Sequence, residues 1–522
     1  MKTTIKIYSL LLACVVAGFV SSCNKDIEVD EQLSPLTPAD IDADAGNWKM
    51  IVLTTPNQIA VAAPAPITSD AYKAELAAIK DAQSKLTSQQ RNIINYWSGG
   101  GVMRWNQKMR DFVAKYNLPP SPRADGTYPA PDAENPFADP NFPFANPPYA
   151  VRAYSYVSVA QYEALKAAWY YKYQHNRPAP YKNDTGIQAL MPETGLPSYP
   201  SEDAVMSGVT AEMLKLLFPA SVEEITRMAA DQRNAALWSG KASSSDIAAG
   251  LALGKAVADE VKKRAAGDNM GAAAGNAALW KQLLDNVGNG NFTQTQQTPW
   301  TTRDIPARPP MLPNFGKVKA WNLTAQDIVN VRPLPPPRTS TAEMQQEIDE
   351  VKWFADNMTR ERLAIVHKWA DGVATYTPAG HWNDIATEYI RDASYSEVRA
   401  ARAYALLNMA MHDAMVSCWE TKFYYFNPRP SQLDPRIKTA TGIPNFPAFT
   451  SGHSNFSGAA AETLSYLFPA NSAYYHEQAT EASLSRLYGG IHYRTDVEVG
   501  LDQGKNCAQF TINYAETDGA DN

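Results

Sequence analysis

Three short stretches between residues 419 and 496 concentrate cations, hydroxyls and histidines inside otherwise apolar sequence. The first reads Lys422-x6-Arg429-Pro430. The second is Ser451-Gly452-His453, and the third is Ser485-Arg486-x5-His492-x3-Asp496. Lys422, Arg429 and Arg486 supply three positive charges, and each arginine can bond two oxygens in a fixed geometry. Ser451 adds a hydroxyl donor, while Gly452 lets its backbone N–H approach an oxygen closely where a helix begins. Together these are the donors needed to hold a small tetrahedral oxyanion. Two histidines have separable tasks beside it. His453 can exchange a proton with a bound oxygen. His492 can attack phosphorus, or ligate a metal through a neutral ring nitrogen. Asp496 is placed to hold the other ring nitrogen and fix the tautomer. Gly489-Gly490 breaks the preceding helix, so His492 is expected on a turn or at a fresh helix start.

These motifs resemble the three-part signature of the type 2 phosphatidic acid phosphatase and vanadium haloperoxidase superfamily. That signature reads Lys-x6-Arg-Pro, Pro-Ser-Gly-His and Ser-Arg-x5-His-x3-Asp. One fixed position departs: Thr450 stands where the signature has proline, which bears on the turn more than on the ligands. The resemblance implies that the bound species is phosphate or vanadate. In the phosphatases the residue matching His492 becomes phosphorylated, and the one matching His453 protonates the leaving group. In the haloperoxidases the residue matching His492 ligates vanadium, the one matching His453 assists peroxide binding, and the one matching Lys422 polarises bound peroxide toward a halide. Trp419 and Phe446 match positions that line the halide pocket of that branch. Core packing is the competing reading, and Trp169 at the matching place in the first half supports it for Trp419. His381, within Thr377-Pro-Ala-Gly-His-Trp, is expected on a loop, either lining the pocket or serving as a hydrogen-bonded structural histidine. The chain's length and helical duplication are similar to those of bacterial vanadium haloperoxidases. The leading expectation is therefore vanadate-dependent oxidation of halide by hydrogen peroxide. A phosphohistidine acid phosphatase acting on a phosphoester without a cofactor is the alternative, and a non-catalytic phosphate- or vanadate-binding lipoprotein is the third.

The elements that must position these residues are helical. Apolar residues recur at three- and four-residue intervals in 151–173, 204–218, 400–419 and 456–468, and strand signals are scarce. The class is expected to be all-α. An internal repeat refines this. Arg152-Ala153-Tyr154 matches Arg402-Ala403-Tyr404, Lys172 matches Lys422, Phe218-Pro219-Ala220 matches Phe468-Pro469-Ala470, and Asp246 matches Asp496, always 250 residues apart. One register held across such a distance points to two pseudo-equivalent helical bundles. Only the second carries the chemistry. Glu202-Asp203 stands opposite Gly452-His453, Ala236 opposite Arg486, and Ala242 opposite His492. Lys172 is read as inherited rather than functional. Asp413 is a possible partner of Arg486, but Glu163 at its matching place favours a scaffold role. The first half should cover the second and shape the mouth of its site.

With 522 residues, 45% of them hydrophobic, the chain has room for a large core or two domains. A net charge of −7 leaves no footprint for nucleic acid, so an anion must be caught by local cations. Residues 1–22 read as a signal peptide: Lys2 and Lys6 precede an apolar run that ends in Val20-Ser21-Ser22-Cys23, which resembles a bacterial lipobox. Cys23 is then the lipidation site, and Asn24 beside it favours the outer membrane. No later segment is apolar enough to span, so a lipid anchor is the only membrane attachment expected. Residues 23–45 are read as a flexible tether, 46–298 as the N-terminal helical half and 299–340 as a proline-rich linker. Residues 341–522 form the phosphatase/haloperoxidase-type domain. Cys418 and Cys507 lie outside any metal-ligand spacing and are read as buried thiols, free or paired. Nothing in the sequence speaks to oligomeric state.

Overall fold

Polar caps fix where the long helices begin. Asn146, Ser201, Ser243, Ser396 and Ser451 each accept a hydrogen bond from the backbone N–H three residues on, satisfying one of the donors that every helix start leaves open. The long helices frame two halves. The first comprises α1 (Pro147–His175), α2 (Glu202–Leu217), α3 (Val222–Trp238) and α4 (Ser244–Ala266). The second comprises α5 (Glu397–Tyr425), α6 (Gly452–Leu467), α7 (Ser472–Tyr488) and α8 (Arg494–Ala515). Each helix of the second group begins 250 residues after its counterpart, which is the offset of the matching residues. The computed structural model describes residues 33–119, 124–125, 144–286, 297–305 and 307–521, and contains no strand among them. The fold is all-α.

Helices α1 and α5 pack against each other and are buried along almost their whole length. Asn408 on α5 donates to Ser158 on α1 at 3.0 Å, so residues at matching places meet where the halves join. Within the second half, α6 and α8 pack closely because two glycines allow it. A Cβ on Gly504 would lie 2.0 Å from the Asn455 carbonyl oxygen, and one on Gly458 would lie 2.2 Å from that of Leu501. Ser451 N–H also donates to the Asp496 carbonyl at 2.9 Å, tying the start of α6 to α8. The second and third motifs are thereby held side by side.

Three expectations, for the tether, the linker and His381, need correction. The signal segment and Cys23 lie outside the described residues, but the end of the expected tether does not. Leu36 N–H bonds the Ser98 carbonyl, Asp42 is buried against Arg399, and Trp169 donates to the Ile41 carbonyl. Residues 35–45 are thus packed onto the body, and Pro35–Asn522 form one compact unit. The expected linker is a packed strap: Trp321 and Asn322 N–H groups both bond Asp413 at 2.7 Å, Arg332 pairs with Glu420, and Phe315 is buried. Asp413 therefore belongs to this strap and not to Arg486. Cys418 and Cys507 are both buried and free. His381 sits in the helix Thr377–Asp392, not on a loop. Among the described residues no helix is long and apolar enough to cross a membrane.

Candidate active site

The first motif closes the C-terminal end of α5. Lys422 lies in its last turn, and Phe426, in the left-handed region at φ 54°, ends the helix by donating to the Lys422 carbonyl. The chain then turns so that Arg429 caps a short helical turn, its N–H held by Gln432 at 3.0 Å. The side chains of Lys422 and Arg429 point into the segment 446–450. Lys422 Nζ donates to the carbonyls of Pro447 and Ala448, both at 2.9 Å, and to that of Thr450. Arg429 donates to the Phe446 carbonyl through Nε (3.2 Å) and Nη2 (3.0 Å), and through Nη1 to the Ile491 carbonyl (2.9 Å). The Phe449–Thr450 peptide preceding Ser451 is cis, as is Tyr199–Pro200 at the offset position.

Arg429 Nη1 also contacts His492 Nε2 at 2.8 Å, and His492 Nδ1 lies 2.9 Å from Asp496 Oδ2. A guanidinium only donates, so Nε2 carries the lone pair and Nδ1 the proton. The ring is thus held on both sides, by Arg429 and Asp496. The same Oδ2 accepts the Tyr493 N–H at 3.2 Å. His492 sits in the turn after Gly490 (φ 75°), just ahead of α8. Ser451 Oγ accepts from Ser454 N, which leaves its own proton to donate. A Cβ on Gly452 would meet only Met415 Cε, at 3.9 Å, so no protein neighbour demands glycine there. Arg486 bonds Ser485 Oγ through Nε, and the Trp369 carbonyl at 2.6 Å through Nη2.

Burial governs the electrostatics. It pushes Lys422 down to about 7 and both Arg429 and Arg486 down to about 10. His453 is held well below the usual histidine range by burial, then by Arg486 and His381. His492 is lowered by burial, then by Arg429 and Lys422. Both rings are therefore neutral near pH 7. Asp496 moves the other way, up to about 7, through burial and the nearby Glu347.

A cavity of about 480 Å³ opens onto this cluster. Gly452, His453, Arg486 and His492 reach its surface, as do Trp419 and Phe446, whose rings lie 4.7 Å apart. Lys422, Arg429 and Ser451 are fully buried one layer behind. Lys422, expected at the anion, donates to three carbonyls, which take the three donors of an ammonium. His381 is likewise not on the cavity wall. Its Nδ1 lies 3.2 Å from both oxygens of Asp371, and its ring stacks on Trp369 at 4.2 Å. Asp371 does reach the cavity, and its Oδ2 is 4.0 Å from His453 Nε2. The sequence offered no reason to select it, since Asp371-Gly372 reads only as a turn.

The first half fills the matching place with its own ions. Lys172 pairs with Glu202 at 2.6 Å, Lys241 bonds both Glu202 and Asp203 at 2.8 Å, and Arg177 pairs with Asp246. A carboxylate occupies the cations that an external anion would need.

Residues 401–519 match the family model of the PAP2 superfamily, in agreement with the motif resemblance. Two solved structures show the same helical architecture. A bacterial vanadium-dependent iodoperoxidase superposes with a TM-score of 0.56 at 24% identity, covering 79% of this chain and 96% of that one. A bacterial vanadium-dependent chloroperoxidase in its apo form gives 0.50 at 13% identity, with 71% and 94% covered. The fold is that of the vanadium haloperoxidases. No curated protein sequence matches the chain.

Proposed function

We propose that the protein is a vanadate-dependent haloperoxidase, oxidising halide with hydrogen peroxide. The observation that carries this reading is His492: its proton is fixed on Nδ1 by Asp496, its Nε2 lone pair faces Arg429, and the residue lines a cavity shared with Gly452, His453 and Arg486. The residues fit a tetrahedral oxyanion. His453 Nε2 is buried without a hydrogen-bond partner, and the space a Cβ on Gly452 would enter is open. His492 Nε2 would hold the vanadate, with Arg486 and the Gly452 N–H donating to its oxygens. Bound there, vanadate supplies a Lewis acid that activates peroxide.

Arg429 must give up its bond to His492 Nε2 when the ring takes a ligand, and that freed donor is then available to the anion. Lys422, spent on carbonyls, acts by positioning the 446–450 segment and by its charge. His453 is suited to accept a proton from incoming peroxide, because burial and Arg486 keep the ring neutral. Trp419 and Phe446 line the cavity beside the cradle, where their apolar rings would exclude water around a halide.

The test compares vanadate-free protein with protein reconstituted in orthovanadate, measuring peroxide-dependent iodide and bromide oxidation and p-nitrophenyl phosphate hydrolysis. Vanadate-dependent halide oxidation supports the reading. Steady phosphate-ester hydrolysis with no vanadate-dependent signal transfers the assignment to the phosphatase, and tight anion binding with neither activity transfers it to a binding protein. The lipobox extends the proposal to an exported, lipid-anchored enzyme. Metabolic labelling with an alkyne fatty acid, absent in Cys23→Ala, tests that part.

A further inference from the structure

One buried amide ties four elements together behind the cradle. Gln503, on α8, has both lone pairs and both N–H groups of its side chain engaged. Its Oε1 accepts from Thr450 Oγ1 at 2.7 Å and from Asn455 Nδ2 on α6 at 3.4 Å. Its Nε2 donates to Thr421 Oγ1 at 2.9 Å and to the Ser417 carbonyl at 3.3 Å, both on α5. All five residues are buried. Thr450 is held twice, because its carbonyl also accepts from Lys422. Directly after it come Ser451, the cap of α6, and Gly452, which lines the cavity.

Buried polar groups must all find partners, and apolar residues of the same shape serve stability about as well. The first half keeps the fold without this network. At the offset of 250, Ser417, Thr450, Asn455 and Gln503 face Ala167, Pro200, Val205 and Leu253. Thr421 faces Tyr171, whose hydroxyl turns away to the Ile59 carbonyl at 2.9 Å. The helices nonetheless begin at the same offset in both halves. The network therefore accompanies the histidines and cations of the second half and is not a requirement of the bundle. Position 200 has a proline ring that restricts φ. Position 450 has no ring, and its hydroxyl is tethered instead.

We propose that Gln503 is a positioning residue for oxyanion binding: through the Thr450 hydroxyl it fixes the direction of the 450–452 backbone, as proline does at the matching place of the first half. The proposal rests on the reading of the site as an oxyanion cradle. Without the amide the helices stay packed, but residues 450–452 sample directions in which the Gly452 N–H no longer meets the anion, and the lost preorganisation weakens binding.

The experiment titrates orthovanadate by calorimetry into the full chain and four variants, with circular dichroism and melting verifying that each is folded at the temperature used. Gln503→Leu installs the residue of position 253, and Thr450→Val keeps the shape of threonine without its hydroxyl. Thr450→Ser keeps the hydroxyl. Thr450→Pro combined with Gln503→Leu reproduces the pair found in the first half. The expected result is an affinity about tenfold weaker in Gln503→Leu and in Thr450→Val, near-native in Thr450→Ser, and recovered in the proline–leucine pair. A purely structural role would lower melting temperatures and leave these affinities equal. Native-like affinity in either Gln503→Leu or Thr450→Val, serine no better than valine, or no recovery with proline overturns the proposal. If one of the two single variants does not fold, the other decides; if neither folds, the network serves the fold and the proposal falls. Native binding with unaffected variants removes only the role of Gln503, whereas no binding by the native chain removes the cradle and the proposal with it.

Discussion

Substitution of Asp496 separates charge from hydrogen bonding at the centre of the site. In the native protein Oδ2 accepts both His492 Nδ1–H and Tyr493 N–H, while Oδ1 is buried without a partner. An asparagine satisfies two donors only with its amide oxygen in the Oδ2 place, so Asp496→Asn keeps the tautomer and loses the charge. Charge-assisted bonds are roughly twice as strong as neutral ones, so the loss is about 1 kcal/mol, or about fivefold. Asp496→Ala removes the acceptor altogether, frees the tautomer and leaves Nδ1–H buried and unpaired. That costs about 3 kcal/mol, or about 150-fold. The assay is orthovanadate affinity at pH 8, where the native carboxylate, raised to about 7, is ionised, with ¹⁵N shifts reporting which nitrogen of His492 is protonated. Equal affinity in all three proteins, or asparagine weaker than alanine, would refute the reasoning.

Further outcomes follow from the same geometry. His492→Ala should abolish oxyanion-dependent activity of either kind while helical circular dichroism stays native; surviving activity removes the residue from its role. Lys422 is lowered to about 7 from an ordinary 10.5, so its charge is present below pH 7 and lost as pH rises. Affinity for sulfate, whose own charge is constant there, should therefore fall by up to about tenfold per pH unit above 7. Calorimetry should show this slope flattened in Lys422→Met, and an unchanged slope would count against the lysine. Gly504→Ala forces its methyl against the Asn455 carbonyl and should cost about 3 kcal/mol by overpacking. Gly442→Ala, with nothing within 4 Å, is the control for thermal melting.

Which side chains gather at the site was legible in advance because motif spacing records them. His492, Asp496, His453, Arg486 and Gly452, from the second and third stretches, come together, and the helical class followed from apolar periodicity. What was hidden has a physical reason in each case. Lys422 and Arg429 spend their donors on backbone carbonyls of 446–450, and a carbonyl leaves no mark in residue identity. Asp371 arrives from a turn whose position depends on tertiary packing, with no periodic or spacing signal. Residues 35–45 and the strap looked like spacers because polar and proline-rich composition was weighed locally, whereas Asp42 and Asp413 anchor them through contacts more than ninety residues away in sequence. His381 followed Pro378 and Gly380, residues that suggest a loop, yet Pro378 stands at the first turn of a helix, where proline is tolerated.

The most direct test of the oxyanion cradle is a crystal structure of the protein soaked with orthovanadate, with vanadium located by anomalous scattering. The account predicts vanadium bonded to His492 Nε2, oxygens facing Arg486 and the Gly452 N–H, and Arg429 turned away from the ring. Vanadium bound elsewhere, or a fully occupied site with Arg429 still bonded to His492 Nε2, would contradict it.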